Sequence, residues 1–365
     1  FINRKFVKPI MKKITFKNTT HKTTIIIKKN FVKKFLFNVS NKDRKTYCIV
    51  DSKVKSVFKN ISFKNIEFIY IDSSEALKNI NNYSFLCEKL LSKGIDRSSI
   101  LIAVGGGTLG DLCGFVASTV LRGVEFKLVP TTLLSQVDSS IGGKNGINTK
   151  YGKNQIGSFY HPTEILIDID FLKSLPMREL KSGYAEIIKH ALIKDKNFFY
   201  WLDKNFNELI NLETKLIEDA IYKSIKIKMF YVNKDPFEKL KNKNSRSILN
   251  FGHTIGHSLE TFYNYSRNLN HGEAVSIGML AESMISNELK FLSKNELNII
   301  ISHFKKTKLK IKSIKFNQNK ILSNIYKDKK NFGGKINMVL LKNIGNAIFY
   351  QNISAHKIKQ ILNKI

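Results

Sequence analysis

Short apolar runs rich in β-branched and aromatic residues recur through the first half of the chain, at residues 47–50, 66–71, 100–104, 126–129 and 165–167. Between them lie longer stretches, such as 84–93 and 112–121, whose apolar positions repeat at helical spacing. Strand and helix signals in alternation predict a mainly parallel sheet covered by helices. From about Pro176 the pattern changes. Amphipathic runs follow one another at 180–194, 215–233, 248–262, 273–288 and 294–304, and the next β-rich segment is 336–341. The pattern therefore predicts an α/β domain over 11–175 and a helical domain over 176–365. The first methionine is Met11, so residues 1–10 read as an upstream extension and carry none of the functional reading. The Lys/Asn-rich stretch 239–245 reads as a flexible insertion.

Composition changes this picture little. With 365 residues, 42% of them hydrophobic, the chain can bury a core in each domain. No run of eighteen apolar residues exists and the basic segment 12–17 leads into no apolar stretch, so neither a membrane span nor a signal peptide is expected and a cytoplasmic location is. Cys48, Cys87 and Cys113 form no CxxC pair, which argues against a disulfide framework or a thiolate zinc site and for buried thiols.

The formal net charge of +32 would ordinarily raise nucleic-acid or anionic-membrane binding. Yet only seven of the 61 basic residues are arginine, and the lysines are spread along the whole chain. That is a compositional drift of the surface, not a patch, and no nucleic-acid motif accompanies it. Where arginine persists beside glycine or near the histidines, at Arg122 and Arg246, its planar fork suits an anion.

Three of the eight histidines fall within nineteen positions, in Asn250-Phe251-Gly252-His253-Thr254-Ile255-Gly256-His257 and Asn270-His271-Gly272-Glu273. Neutral imidazole is the commonest metal ligand. On one continuous helix Asn250, His253 and His257 would share a face. The spacing approaches the zinc-peptidase H-E-x-x-H, but Thr254 stands where that motif has its glutamate base. A second candidate ligand is Glu186, which lies three positions before Lys189 in a largely apolar stretch. Either these two form a surface pair, or Glu186 reaches the histidines and completes a two-histidine, one-carboxylate site with room for substrate oxygens.

Phosphate chemistry is signalled earlier in the chain. Gly105, Gly106, Gly107, Thr108, Leu109, Gly110 and Asp111 follow a strand signal and open a helix signal. Such a turn either serves packing or lets a dinucleotide pyrophosphate approach the backbone at a helix N-terminus. Beyond it, Arg122, Thr131, Thr132, Asp138, Lys144, Lys153 and Asn154 concentrate hydroxyls, amides, a carboxylate and cations, as a phosphorylated, hydroxylated ligand beside a nicotinamide ring would require.

Taken together, GGGTLGDLCGFVAST, RGVEFKLVPTTLLSQVDSSIGGKNGIN, GKNQIGSFYHP, LKSGYAEIIKHALI, LNFGHTIGHSLE, LNHGEAV and KDKKNFGGKI resemble the 3-dehydroquinate synthase family from about Asp51 to Ile348. The resemblance implies a Rossmann-like α/β N-terminal domain, an all-α metal-binding C-terminal domain and an active site in the cleft between them. It implies NAD and zinc, with cobalt as a possible substitute, a phosphorylated sugar acid as substrate, a homodimer, and no nucleic-acid or membrane partner.

Residue by residue, the resemblance assigns the metal to Glu186, His253 and His271. NAD would meet Asp51, Glu75, Lys78, Gly107, Thr108, Leu109, Gly110, Asp111, Thr131, Thr132, Lys144, Lys153, Phe171, Leu172, Lys173 and Ser174. Substrate phosphate would meet Lys144, Asn154, Asn250, His257 and one of Lys329 and Lys330, with Arg122 supplied across the dimer interface. Lys228 and Arg246 match the pair for the substrate carboxylate, and Asp138 and Lys189 match residues near the reacting hydroxyls. The chain departs from the family at Asp51-Ser52-Lys53, at Ser73-Ser74-Glu75, and at Asp235-Pro236-Phe237-Glu238, after which about four extra residues precede Arg246.

The implied reaction converts 3-deoxy-D-arabino-heptulosonate 7-phosphate to 3-dehydroquinate and phosphate. Transient oxidation by NAD acidifies a ring proton, phosphate leaves by β-elimination, the ketone is reduced again, the ring opens and an aldol step closes the carbocycle. Two other enzyme readings share the architecture: a cyclase for a different sugar phosphate, and a metal-dependent polyol dehydrogenase, which would release NADH. A catalytically silent basic binding protein is the reading from another class, and the complete set of named metal ligands argues against it.

Overall fold

The computed structural model describes residues 11–17, 22–240, 242–309, 316–327 and 336–365, which form two compact units, Phe1–Leu175 and Pro176–Ile365.

Among the described residues, the first unit has nine strands: β1 (Lys12–Lys17), β2 (Lys22–Lys28), β3 (Thr46–Asp51), β4 (Ile66–Ile71), β5 (Ile100–Gly105), β6 (Glu125–Pro130), β7 (Lys144–Thr149), β8 (Gly152–Phe159) and β9 (Glu164–Asp168). Seven of them make one sheet in the order β1-β2-β9-β6-β5-β3-β4, parallel except for the β1–β2 pair. Every residue of β3 and β5 is buried, which explains why those strands read as unbroken apolar runs. By contrast, β2 buries Thr23, Ile25 and Ile27 in alternation, and β1 at the sheet edge carries three lysines, a pattern that discourages further strand pairing. This edge pair lay hidden in what read as a basic N-terminus.

Three helices accompany the sheet: α1 (Val32–Ser40), α2 (Ile80–Ser92) and α3 (Gly107–Thr119). One core cluster joins Leu86 and Leu90 of α2 to Leu112 and Val116 of α3 over Ile49, Leu101 and Phe126. Another sets Leu36 of α1 over Cys48, Ile102 and Val129. Cys48 and Cys113 are buried thiols, and burial pushes both thiol pKa values up, away from reactivity. The hairpin β7–β8 stands apart from the main sheet as an antiparallel pair.

Among the described residues, nine helices dominate the second unit: α4 (Met177–Lys194), α5 (Lys196–Lys204), α6 (Phe206–Ile210), α7 (Thr214–Lys234), α8 (His253–Phe262), α9 (His271–Glu288), α10 (Lys294–Thr307), α11 (Gln318–Lys327) and α12 (Ala355–Leu362). One hairpin, β10 (Ile336–Asn343) with β11 (Asn346–Ile353), completes the unit, and its apolar face packs with α8, α9, α11 and α12. Among the described residues no helix is long and apolar enough to cross a membrane.

One predicted helix is interrupted. Residues 248–262 do not run continuously: Arg246–Asn250 form a 3₁₀ turn, Gly252 adopts φ 79°, and α8 begins only at His253. The left-handed conformation suits glycine. Crowding demands it as well, because a Cβ at Gly252 would lie 2.5 Å from Met279 Cγ.

Candidate functional site

In the first unit, most of the residues singled out from sequence gather at the carboxyl ends of the parallel strands, where open α/β sheets place their ligands. Asp51 ends β3, Glu75 and Lys78 lie in the turn after β4, Gly107 to Asp111 form the first turn of α3 after β5, and Thr131 and Thr132 follow β6. The glycine turn is built for close approach. A Cβ at Gly105 would meet Leu109 at 2.7 Å, and one at Gly107 would meet Ser139 Oγ at 2.7 Å. The N-cap Gly106 gives α3 no side-chain acceptor, so the first turn presents its N–H groups to whatever occupies the turn. A small cavity there is lined by Gly105, Gly106, Gly107, Asp111, Ser139 and Lys144, among others.

A polar network closes one side of this region. Buried Lys78 donates from Nζ to Asp111 Oδ2 at 2.6 Å and to Asn154 Oδ1 at 2.6 Å. Glu75 accepts from Asn148 Nδ2 at 2.8 Å and from Thr108 Oγ1 at 3.3 Å, and Lys153 Nζ stands 3.7 Å from it. Asp51 is already engaged, since its carboxylate accepts from Lys53 N at 3.1 Å. In the turn after β9, the side chains of Phe171 and Leu172 are buried, Lys173 pairs with Asp170 at 2.6 Å and Ser174 donates to Phe171 O, so that segment can offer a ligand mainly backbone.

Arg122 stands elsewhere. It lies in the turn between α3 and β6, at the amino end of the strands, and it is exposed. Leu121, Arg122 and Gly123 all have positive φ, at 51°, 66° and 118°, a strained run of the kind held where a side chain must point in a fixed direction. Within its own unit it is not brought to the glycine turn.

In the second unit α8 places His253 and His257 one turn apart, and α9 begins at His271. The three rings meet, with centroids 5.1 Å apart for His253 and His257 and 5.4 Å for His253 and His271. Glu186, fully buried on α4, faces two of them. Its Oε1 lies 3.6 Å from His253 Nε2 and 3.4 Å from His271 Nε2, and it pairs with the buried Lys189 one turn along. Potential ligand atoms of Glu186, His253 and His271 all lie within 4.8 Å of one another. The surface pair expected as one alternative is not formed: Glu186 and Lys189 pair in the interior, and Glu186 reaches the histidines as well.

Each histidine's second nitrogen is committed. His253 Nδ1 lies 3.1 Å from Phe251 O and His271 Nδ1 lies 3.3 Å from Glu260 Oε2. Such partners fix ring orientation and leave Nε2 directed at a shared point, as metal-binding histidines require. The charge balance agrees. Burial, helped by the Lys189 ammonium, holds His253 well below the usual imidazole range despite Glu186, so the ring is neutral. Burial also lowers His271, but Glu260 and Glu186 outweigh it and push the group up to about 10. Two carboxylates thus call for positive charge at one point, a demand that a divalent cation meets as well as a proton does. The donor set of one carboxylate and two imidazoles fits zinc with room for further oxygens.

Lys228 on α7 and Arg246 in the 3₁₀ turn are both buried bases, at 6% and 4% exposure. The insertion before Arg246 is closed by Asp235, whose carboxylate accepts from the backbone N–H groups of Lys239 (2.8 Å), Leu240 (3.2 Å) and Arg246 (3.0 Å). Arg246 itself donates to Pro236 O at 2.8 Å. Asn250 is not on the helix that carries the histidines, because of the Gly252 break; it donates to Glu238 Oε1 at 2.8 Å. Lys329 and Lys330 lie outside the described residues. Sequence reading gave no role to Glu260 or Asn148, and it counted Ser139 and Ser140 only among the hydroxyls of their stretch. Glu260 stood in the quoted motif one helical turn after His257. The two serine hydroxyls line the cavity at the glycine turn without a hydrogen-bond partner among the described residues.

Comparison with known proteins follows this geometry. The fold resembles 2-epi-5-epi-valiolone synthase from Streptomyces hygroscopicus, solved with NAD+ and Zn2+ bound, at TM-score 0.85 and 23% identity over 96% of this chain and 97% of that one. It resembles 2-deoxy-scyllo-inosose synthase complexed with carbaglucose-6-phosphate, NAD+ and Co2+ equally well, at TM-score 0.85 and 23% identity over 97% of this chain and 100% of that one. The chain thus shares the fold of these two synthases. A 3-dehydroquinate synthase of Pelagibacter ubique is 42% identical over 365 residues, covering 96% of this chain and 98% of the relative. One from Alkaliphilus metalliredigens is 43% identical over 77% of this chain and 78% of its own length. The family models for the 3-dehydroquinate synthase N-terminal and C-terminal regions match residues 68–182 and 183–331. The chain belongs to the 3-dehydroquinate synthase family, and its activity is that family's.

Proposed function

We propose that this protein converts 3-deoxy-D-arabino-heptulosonate 7-phosphate to 3-dehydroquinate and inorganic phosphate as a zinc-dependent, NAD-using carbon–oxygen lyase, working as a homodimer in the cytoplasm. The observation that carries the reading is the joint aim of His253 and His271, each oriented through its Nδ1, at the buried carboxylate of Glu186.

Glu186, His253 and His271 hold the metal in this reading. The residues around the glycine turn hold the nucleotide: Gly107 to Asp111 at the helix start, Glu75, Lys78, Lys144 and Lys153 beside it, with Asp51, Thr131, Thr132 and the 171–174 turn at its margins. When bound, NAD supplies a hydride acceptor restored within each turnover, and zinc supplies a Lewis acid for the reacting hydroxyl.

The chain's own side chains bind and orient. Lys228 and Arg246 hold the substrate carboxylate, where the planar guanidinium matches two oxygens at once. Lys144, Asn154, Asn250, His257 and a lysine of the Lys329–Lys330 pair hold the phosphate, and Arg122 reaches it from the second subunit, as its distance from the glycine turn of its own unit supports. Fixing both anionic ends presents the ring in one pose, a contribution that in favourable cases is on the order of 7–11 kcal/mol. Asp138 and Lys189 lie by the reacting hydroxyls. The substrate's phosphate takes the ring proton before it leaves, which is why no further base is assigned.

Purified protein given the heptulosonate phosphate should release inorganic phosphate without net NADH, and metal analysis should find zinc. Accumulation of NADH with a simple polyol would replace this reading with a dehydrogenase.

A further inference from the structure

Asn148, near the end of β7, is assigned no role in the site, yet it bonds to two residues of the proposed nucleotide seat and to Asn154. Its Nδ2 donates to Glu75 Oε1 at 2.8 Å, its Oδ1 accepts from Asn154 N at 3.0 Å, and its own N donates to Lys78 O at 2.8 Å. The side-chain amide therefore bridges the Glu75 carboxylate and the Asn154 backbone, while the main chain of Asn148 holds the Lys78 backbone. Those three residues are themselves connected, since Lys78 Nζ donates to Asn154 Oδ1 and to Asp111, and Glu75 accepts from Thr108.

The ring of bonds joins three pieces of chain far apart in sequence: the 3₁₀ turn Glu75–Leu77, the first turn of α3, and the β7–β8 hairpin. Asn154 turns the chain at φ 52°, a left-handed conformation asparagine adopts more readily than most residues, and Asn148 Oδ1 accepts from its N–H. An amide is the group that fits, because it donates to a carboxylate with one end and accepts from an N–H with the other.

We infer that Asn148 is a positioning residue for NAD: through Glu75, and through the Asn154 that binds Lys78, it holds Glu75 and Lys78 so that they meet the nucleotide as a preformed surface. The inference rests on the reading that Glu75 and Lys78 belong to the cofactor site. Preorganisation of this kind raises affinity by removing the cost of ordering the groups at the moment of binding.

The test is NAD titration by calorimetry of the metal-loaded enzyme, with zinc content and melting temperature measured alongside. Asn148→Asp keeps the acceptor for Asn154 N but sets a carboxylate against Glu75, and the NAD dissociation constant should rise about tenfold, the factor for one lost and unreplaced hydrogen bond. In a Glu75→Gln background the same substitution should cost little, because the new amide donates to the new carboxylate. Zinc content should not move in either background. Should Asn148→Asp fail to fold, Asn148→Ser, too short to reach Glu75, carries the same expectation. If Lys78→Ala weakens NAD while Asn148→Asp and Asn148→Ser do not, the inference falls and the site reading stands. It also falls if Glu75→Gln fails to rescue. If Lys78→Ala leaves NAD affinity unchanged, the site reading fails and takes the inference with it.

Discussion

The two units make polar sites by opposite means. The first uses glycine backbone, a helix start and a chain of half-buried hydrogen bonds at strand ends, with Lys78 as its one deeply buried charge in the network. The second sinks Glu186 and Lys189 among apolar helices at 0% and 1% exposure, with His253, Lys228 and Arg246 scarcely more accessible. A buried charge cannot be left without its counterpart, whereas a half-exposed hydrogen bond can fall back on water. The difference fits the proposed division of ligands: a dinucleotide met by backbone and half-buried hydrogen bonds in the first, a cation held by buried charge in the second.

The sharpest way to break that contrast is Glu186→Ala. It should abolish zinc binding and lower activity by on the order of a thousandfold, as the loss of several kcal/mol of Lewis-acid stabilisation implies, while NAD affinity measured by calorimetry stays within error. His257→Ala should uncouple the two readouts inside one unit, with zinc content near normal and phosphate release lost. A smaller effect is expected from Glu260→Ala, which removes the partner of His271 Nδ1 and should weaken zinc by about 10–100-fold, read by competition with a chelator. Gly107→Ala tests the other unit. Its Cβ would crowd Ser139 Oγ at 2.7 Å, so NAD should bind about tenfold more weakly with zinc unchanged. An equal loss of zinc would mean that the units do not divide the ligands as proposed.

The smallest effect concerns stability. His303 on α10 is buried against Tyr184 (3.0 Å) and Asp203 (2.8 Å), with Lys306 also near Asp203. Burial lowers its pKa, and Asp203 only partly restores it. The folded form therefore holds fewer protons at this site than the unfolded form, whose imidazole titrates near about 6.5. Stability is retained above that pH and falls as pH drops below it. His303→Gln should flatten this part of a urea-unfolding profile between about pH 7 and pH 5.

What could be read beforehand follows the same division. The central strands were legible because burial on both faces makes them continuous apolar runs, and the long helices because their periodicity persists. The β1–β2 pair was not, since its lysines suit an exposed edge and resemble a basic tail. The break at Gly252 escaped because periodicity extends across it, and the crowding by Met279 that requires a glycine there comes from α9, distant in sequence. Residues with assignable chemistry, the histidines and Glu186, stood out in their motifs. Asn148 and Glu260 did not, because their work is to hold other side chains, and those partners are brought near only by the fold.

The Asp235 carboxylate has a further consequence for how this chain tolerates change in length. Because it accepts from Lys239 and Leu240, at the start of the insertion, and again from Arg246 just after it, the loop is tied at its neck and the spacing from Asp235 to Arg246 is independent of how many residues lie beyond the knot. Lengthening an already closed loop adds only a slowly growing entropic cost, about 0.6 kcal/mol per doubling. Residues 242–244 are thus a natural place to splice in an epitope or a fluorophore tag, with the guanidinium left where it was.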